Sequence, residues 1–211
     1  MVMLNKMSME KYTKALIGAV DSGDIELVKM LLERVTDVNS MCNHGDTALI
    51  IASIKGNKEI VELLLDKGAD VNLQAKYGST ALMWASVMGH KEIIELLIEK
   101  GADINLQDGI FGKTALMGVA EHGNKEIIEL LIEKGADVNL KSNDGSTALM
   151  RAAGHGHHEV VKLLLDRGAY NRVVYVPIEN SCNNDKCSIL SNIFLSILVS
   201  TITLFIIRRY F

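Results

Sequence analysis

The chain has 211 residues, of which 48% are hydrophobic but only 5% aromatic; it carries one proline and a formal charge of −4. That balance lacks the basic footprint that phosphate backbones select, which excludes nucleic acid as a partner class. Cys42, Cys182 and Cys187 leave one thiol unpaired in any intramolecular scheme, so they read as thiols of a reducing compartment and not as a disulfide framework.

Residues 1–9 are methionine-rich and without period, and read as a flexible lead-in. The opening MVMLNKMSMEKY holds no apolar run long enough for a signal-peptide core. From Glu10 onward, Leu16, Ile17 and Ala19 mark a first helix, Gly23 interrupts it, and Ile25, Leu27, Val28, Leu31 and Leu32 form the inward face of a second. Residues 10–45 are thus a degenerate first unit. Glu10, Lys11, Lys14, Asp21, Asp24 and Glu26 on its helices suit a cap that shows water a face its neighbours bury.

The next units repeat one pattern. Thr47, Thr80, Thr114 and Thr147 recur at intervals of 33, 34 and 33 residues, and Gly56, Gly89, Gly123 and Gly156 keep step. A period in this range predicts stacked repeats. Each unit opens on a glycine-bearing turn (NHGD, KYGS, IFGK, NDGS) and continues in a short helix whose threonine hydroxyl can cap the first turn. After a glycine reversal comes a second helix with a broad apolar face, as in Ile93, Ile94, Leu96, Leu97 and Ile98. It stops at Gly68, Gly101, Gly135 or Gly168, where a left-handed residue is expected. The units are 46–78, 79–112, 113–145 and 146–178; one inserted residue in QDGIFG accounts for the longer interval.

The stretch TALMWASVMGHKEIIELLIEKGADIN resembles an ankyrin repeat, as do its three neighbours and, more faintly, residues 10–45. The resemblance implies an all-α ankyrin-repeat solenoid: antiparallel helix pairs joined by outward, often hairpin-like loops, in a curved array that binds other proteins and seldom catalyses. Where the family has Thr-Pro-Leu-His, this chain has TALI, TALM, TALM and TALM. Alanine is an excellent helix former, so the fold tolerates the change. Arg151 departs in another way, since Ile51 and Trp84 stand at the same place in other repeats.

The resemblance further implies that a partner touches the loop tips and the concave face of the first helices. Carried over residue by residue, the contact positions include Met41 and His44 in the first loop, then Lys76, Tyr77, Val87 and Met88. Ile110, Phe111, Lys113, Glu121 and His122 follow in the next repeat, and Asn143, Asp144 and His155 in the last. Tyr77, Met88, Ile110 and Phe111 stand out, because loop tips seldom carry such side chains without reason. Ile110 and Phe111 either anchor a partner or pin the longer loop, and the sequence leaves both open. Trp84 aligns with an apolar helix position and reads as core.

Beyond Gly168 the period ends. The last helix, with Val160, Val161, Leu163, Leu164 and Leu165, would leave apolar surface bare, and residues 173–178 are expected to cover part of it. Residues 179–188 form a polar linker. Residues 189–207, ILSNIFLSILVSTITLFII, open at Ile189, close at Ile207 and carry no charge; residues 208–211 are a short basic tail. A helix of that length spans roughly 28 Å, close to a hydrocarbon core of about 30 Å. The run is expected to be a tail-anchor-like transmembrane helix with the repeats facing the cytosol, although Arg208 and Arg209 beyond it pull the other way by the positive-inside tendency.

Chemistry is sparsely encoded. The cluster His155, His157 and His158 matches no two-plus-two metal spacing, and His157 falls on the Gly-His position of the repeat, as His90 does. Cys182 and Cys187 read as linker thiols beside a membrane. No nucleophile elbow, phosphate loop or paired-metal motif occurs, so no catalytic residue, metal, cofactor or small-molecule substrate is expected. The functional expectation is a membrane-tethered protein-interaction module. The alternative is a soluble adaptor or effector that inhibits or targets an enzyme, its apolar tail packed on itself or on a partner.

Overall fold

The structure, a computed structural model, describes residues 2–35 and 37–170. The covering segment 173–178, the linker with Cys182 and Cys187, the 189–207 run and the basic tail lie outside the described residues. Among the described residues no helix is long and apolar enough to cross a membrane.

Ten helices stand in five antiparallel pairs among these residues: α1 (Val2–Ser22) with α2 (Ile25–Leu32), α3 (Ala48–Lys55) with α4 (Lys58–Asp66), and α5 (Ala81–Met88) with α6 (Lys91–Glu99). Then come α7 (Ala115–His122) with α8 (Lys125–Glu133), and α9 (Ala148–Gly154) with α10 (His158–Asp166). First helices stack on first helices, α1 through α9, and second helices on second helices, which makes two layers. One departure from the sequence reading is at the start: α1 begins at Val2, well ahead of Glu10, where the apolar period becomes visible.

Capping and sterics explain the pairs. Each of Thr47, Thr80, Thr114 and Thr147 is extended and accepts a bond from the third residue on, 3.3 Å in every case, so the expected threonine cap is present. Leu49, Leu82, Leu116 and Leu149 fill the core at the same offset in each repeat. Ser53, Ser86 and Ala120 are small and buried where first helices press together, and the two serines return their hydroxyls to Leu49 and Leu82 carbonyls at 2.8 and 2.7 Å. Small residues there permit close stacking.

From α4 onward the second helices are started in two ways that alternate along the stack. Asn57 and Asn124 cap their own helices, accepting from Ile60 and Ile127 N–H. His90 and His157 make no such cap; each reaches back one repeat, its Nε2 donating to the carbonyl of Ile54 at 3.1 Å or Glu121 at 2.8 Å. Gly56 and Gly123, left-handed at φ +74° and +76°, accept those rings: a Cβ at either would run into the imidazole of His90 or His157. The reversal glycine therefore has a second task in these two repeats, which gives His157 the structural role its position suggested.

A polar ladder runs along the loops. In each Asp-x-Asn of the GAD segments the aspartate accepts its asparagine's N–H, as Asp70 does from Asn72 at 2.9 Å. Asn39, Asn72, Asn105 and Asn139 then accept the N–H of Asp70, Asp103, Asp137 and Tyr170 in the following repeat. The last three also donate to the carbonyls of Gly101, Gly135 and Gly168. The recurring aspartates and asparagines are joints between repeats. At the far end of the described stack, Leu165 and Tyr170 are exposed and so is Ala153, whose counterpart Ala120 is fully buried.

Candidate partner-binding face

The loops between repeats are short hairpins whose ends bond across: Cys42 N–H to Asp46 O at 2.9 Å, Ala75 to Ser79 at 2.8 Å, Asp108 to Lys113 at 2.8 Å and Ser142 to Ser146 at 2.9 Å. Successive tips are tied to one another by Lys76 N–H on Gly45 O and Asn143 N–H on Phe111 O. Gln74 Nε2 donates to Gln107 O and Gln107 Nε2 to Lys141 O, both at 2.8 Å. Gly78, at φ +85°, lies so close to Gly109 that a Cβ would collide with its backbone. The tips thus form a continuous, internally bonded edge on which side chains are held in fixed order.

The longer third loop is held through its own backbone. It is pinned by the Asp108 carboxylate, whose Oδ1 accepts the N–H groups of Ile110, Phe111 and Gly112 at 3.1, 2.6 and 3.0 Å. Asn143 Nδ2 adds a bond to Ile110 O at 3.0 Å. Polar backbone contacts therefore hold the loop, while Ile110 and Phe111 leave 47% and 60% of their surface exposed, and Tyr77 59%. Met41 and Met88 are exposed too. Val87 is half-buried, facing Gly118, where a Cβ would meet its methyl at 3.0 Å.

Between the tips and the first helices lies an open pocket of about 470 Å³, lined by Asn43, His44, Asp46, Lys76, Tyr77, Ser79, Trp84, Asp108, Ile110 and Phe111. Trp84 corrects the sequence reading: it is half-buried, with one side on the core and the other in this pocket. Its indole N–H is fixed by Ser79 Oγ at 3.0 Å. Lys76 Nζ stands 5.7 Å from the Tyr77 ring centre, and Lys113 Nζ 5.5 Å from that of Phe111.

The remaining candidates have intramolecular tasks. Glu121 accepts two bonds from Lys113 Nζ, at 2.8 and 3.1 Å, and a third from Arg151 Nη1. Arg151 Nη2 donates to Ser142 Oγ and to Asp144, while its Nε is buried without a partner among the described residues. Burial pushes the Glu121 carboxyl up, but the bonds from Lys113 and Arg151 outweigh it and hold the group below its ordinary value. At Asp144 the Ser142 hydroxyl, then Ser146, lower the carboxyl far below the carboxylate range. Asn143 ties two loops, and His122 and His155 bond the carbonyls four residues back, of Gly118 and Arg151. These residues shape the face more than they offer free contacts.

Among the described residues no group of His, Cys, Asp and Glu is placed to hold a metal. Stacked helix pairs bearing a bonded edge of loops define a repeat scaffold whose one variable surface is that edge and the helix face beside it. The family model for ankyrin repeats (three copies) matches residues 16–108 and 105–174. The chain belongs to the ankyrin-repeat family, and its repeats mark it as a protein–protein interaction module. No curated protein sequence matches it.

Proposed function

We propose that the protein is a membrane-tethered interaction module that captures a protein partner on the loop tips and first helices of its second to fourth repeats. The exposure of Tyr77, Ile110 and Phe111 around an open pocket carries this reading. Rings held at fixed positions give contact area at small entropic cost and are the usual anchors of interfaces. The tether rests on residues 189–207, whose uncharged length suits a bilayer. A repeat array fixed to one surface gains effective concentration for partners at that surface.

Two experiments test the two halves. Full-length Tyr77→Ala/Phe111→Ala protein is expected to lose the partners that wild type captures, with an unchanged melting temperature. A lowered melting temperature with capture intact would make these side chains structural. For the tether, full-length protein is expected to resist carbonate extraction, whereas Leu195→Arg/Leu198→Arg protein is released. Release of the wild-type chain would leave the soluble adaptor.

A further inference from the structure

Resting on the proposed interaction face, the pocket in its middle specifies one kind of side chain. Of the charged and aromatic groups that line it, most are already engaged within this chain. The Asp108 carboxylate is taken by three backbone N–H groups. Tyr77 carries Lys76 over its ring, and Phe111 carries Lys113, whose charge also meets Glu121. Besides His44, which is exposed on the rim, two groups are left over. Asp46, half-buried, makes no ion pair and no side-chain hydrogen bond among the described residues. Trp84, held in place by its bond to Ser79, has no cation over its face among the described residues.

A carboxylate without a partner and an indole face without a cation, lining one pocket, share a preference for positive charge. Tryptophan is the best of the aromatic faces for a cation, and a guanidinium both stacks flat on a ring and forks onto a carboxylate, whereas an ammonium does only one well at a time. The rings of Tyr77 and Phe111 with Ile110 add apolar wall for a methylene stem. We propose that the pocket receives an arginine side chain of the partner, its stem against these walls, its guanidinium on Trp84 and Asp46. Lys76 lies on the same rim but is drawn to the Tyr77 ring, so a stacked, delocalised cation is better tolerated than a second compact ammonium.

Trp84 is the one tryptophan in the chain, so its fluorescence and its indole N–H resonance report the pocket without a label. Full-length protein is titrated with acetylated, amidated pentapeptides Gly-Gly-X-Gly-Gly, where X is arginine, its neutral isostere citrulline, or leucine. The arginine peptide is expected to shift the Trp84 signals saturably and to bind about fivefold or more tighter than the citrulline peptide. Asp46→Asn protein of unchanged melting temperature is expected to lose that preference. Equal response to citrulline or leucine, retention of the preference in Asp46→Asn protein, or no response to arginine overturns the proposal. Each of those outcomes leaves the interaction face standing if Tyr77→Ala/Phe111→Ala protein still loses its partner, whereas intact capture by that variant removes the face itself.

Discussion

Glu121 offers the sharpest test of how the C-terminal part of the face is held together. Its side chain is 19% exposed and that of Arg151 13%, between the fully buried pairs whose rupture costs about 3–5 kcal/mol and the exposed pairs worth about 0–1 kcal/mol. Glu121→Ala leaves Lys113 without its carboxylate and Arg151 with only Ser142 and the exposed Asp144, its Nε already unpartnered, and a loss of about 2 kcal/mol is expected. Alanine is the better helix former, so helix propensity does not contribute to the loss. For an array of this size that is a fall of about 4–8 °C in melting temperature. Arg151→Leu should behave otherwise. It leaves Glu121 on Lys113 and Asp144 on Ser142 and Ser146, removes the unsatisfied Nε, and restores the apolar character of Ile51 and Trp84. Its cost should stay within about 0.5 kcal/mol. In a thermal and urea double-mutant cycle, Arg151→Leu is expected to offset about 1–1.5 kcal/mol of the Glu121→Ala loss. If Arg151→Leu costs as much as Glu121→Ala, or the coupling is near zero, the network does not stabilise the fold.

The same carboxyl predicts a pH dependence. Its folded pKa is depressed, so its contribution is complete above the unfolded value of about 4.3 and is lost as pH falls through the folded value. The difference in melting temperature between wild type and Glu121→Gln should be constant from pH 7 to about pH 5 and shrink below about pH 4. A difference that persists undiminished at about pH 3 would refute it. Gly78→Ala and Gly101→Ala share a left-handed φ but differ in surroundings, since only the first meets backbone. Calorimetry should show about 1–2 kcal/mol for Gly101→Ala and about 3 kcal/mol for Gly78→Ala, the excess arising from the Gly109 collision. Equal losses would mean the loops part without cost. Asn105→Ala removes bonds to Asp137 N–H and Gly135 O and should cost about 1 kcal/mol with a shallower urea transition, because the lost contact joins repeats.

The repeat offset separates what the sequence discloses from what it hides. Two residues past each capping threonine stands leucine every time, and all four are core; four past it stand Ile51, Trp84, Gly118 and Arg151, and none of these is fully buried. Variation at a fixed offset is thus a surface signal, and it assigns Trp84 to the face more reliably than its apolar character assigns it to the core. The scaffold was legible because capping, left-handed glycine and helical period are local. The aspartate and asparagine joints, the glutamine bridges, and the histidines that reach back were not, since each bond spans about one repeat length and depends on how two units register. The same holds for Glu121, Arg151 and Lys113, ordinary charged residues until stacking places them together. The long first helix was hidden because its early turns have no apolar period.

Those offsets also give the face a polarity along the stack. At the position seven past the threonine stand Ile54, Val87, Glu121 and Gly154, so both variable columns are apolar or aromatic in α3 and α5 and change character at α7. Gly118 marks the change, its missing side chain leaving room for Val87 on one flank. Beyond it, Glu121 and Arg151 satisfy each other, and a partner charge that displaced either would strand its mate half out of water, gaining little. Binding energy is therefore expected to concentrate on the first three loops. Arg151→Leu should leave partner capture within about twofold of wild type, whereas Trp84→Ala should weaken it at least about tenfold, as deletion of a central aromatic anchor does. Capture assays in which Arg151→Leu is the more damaging variant would place the contact in the ion-paired half and reverse the polarity.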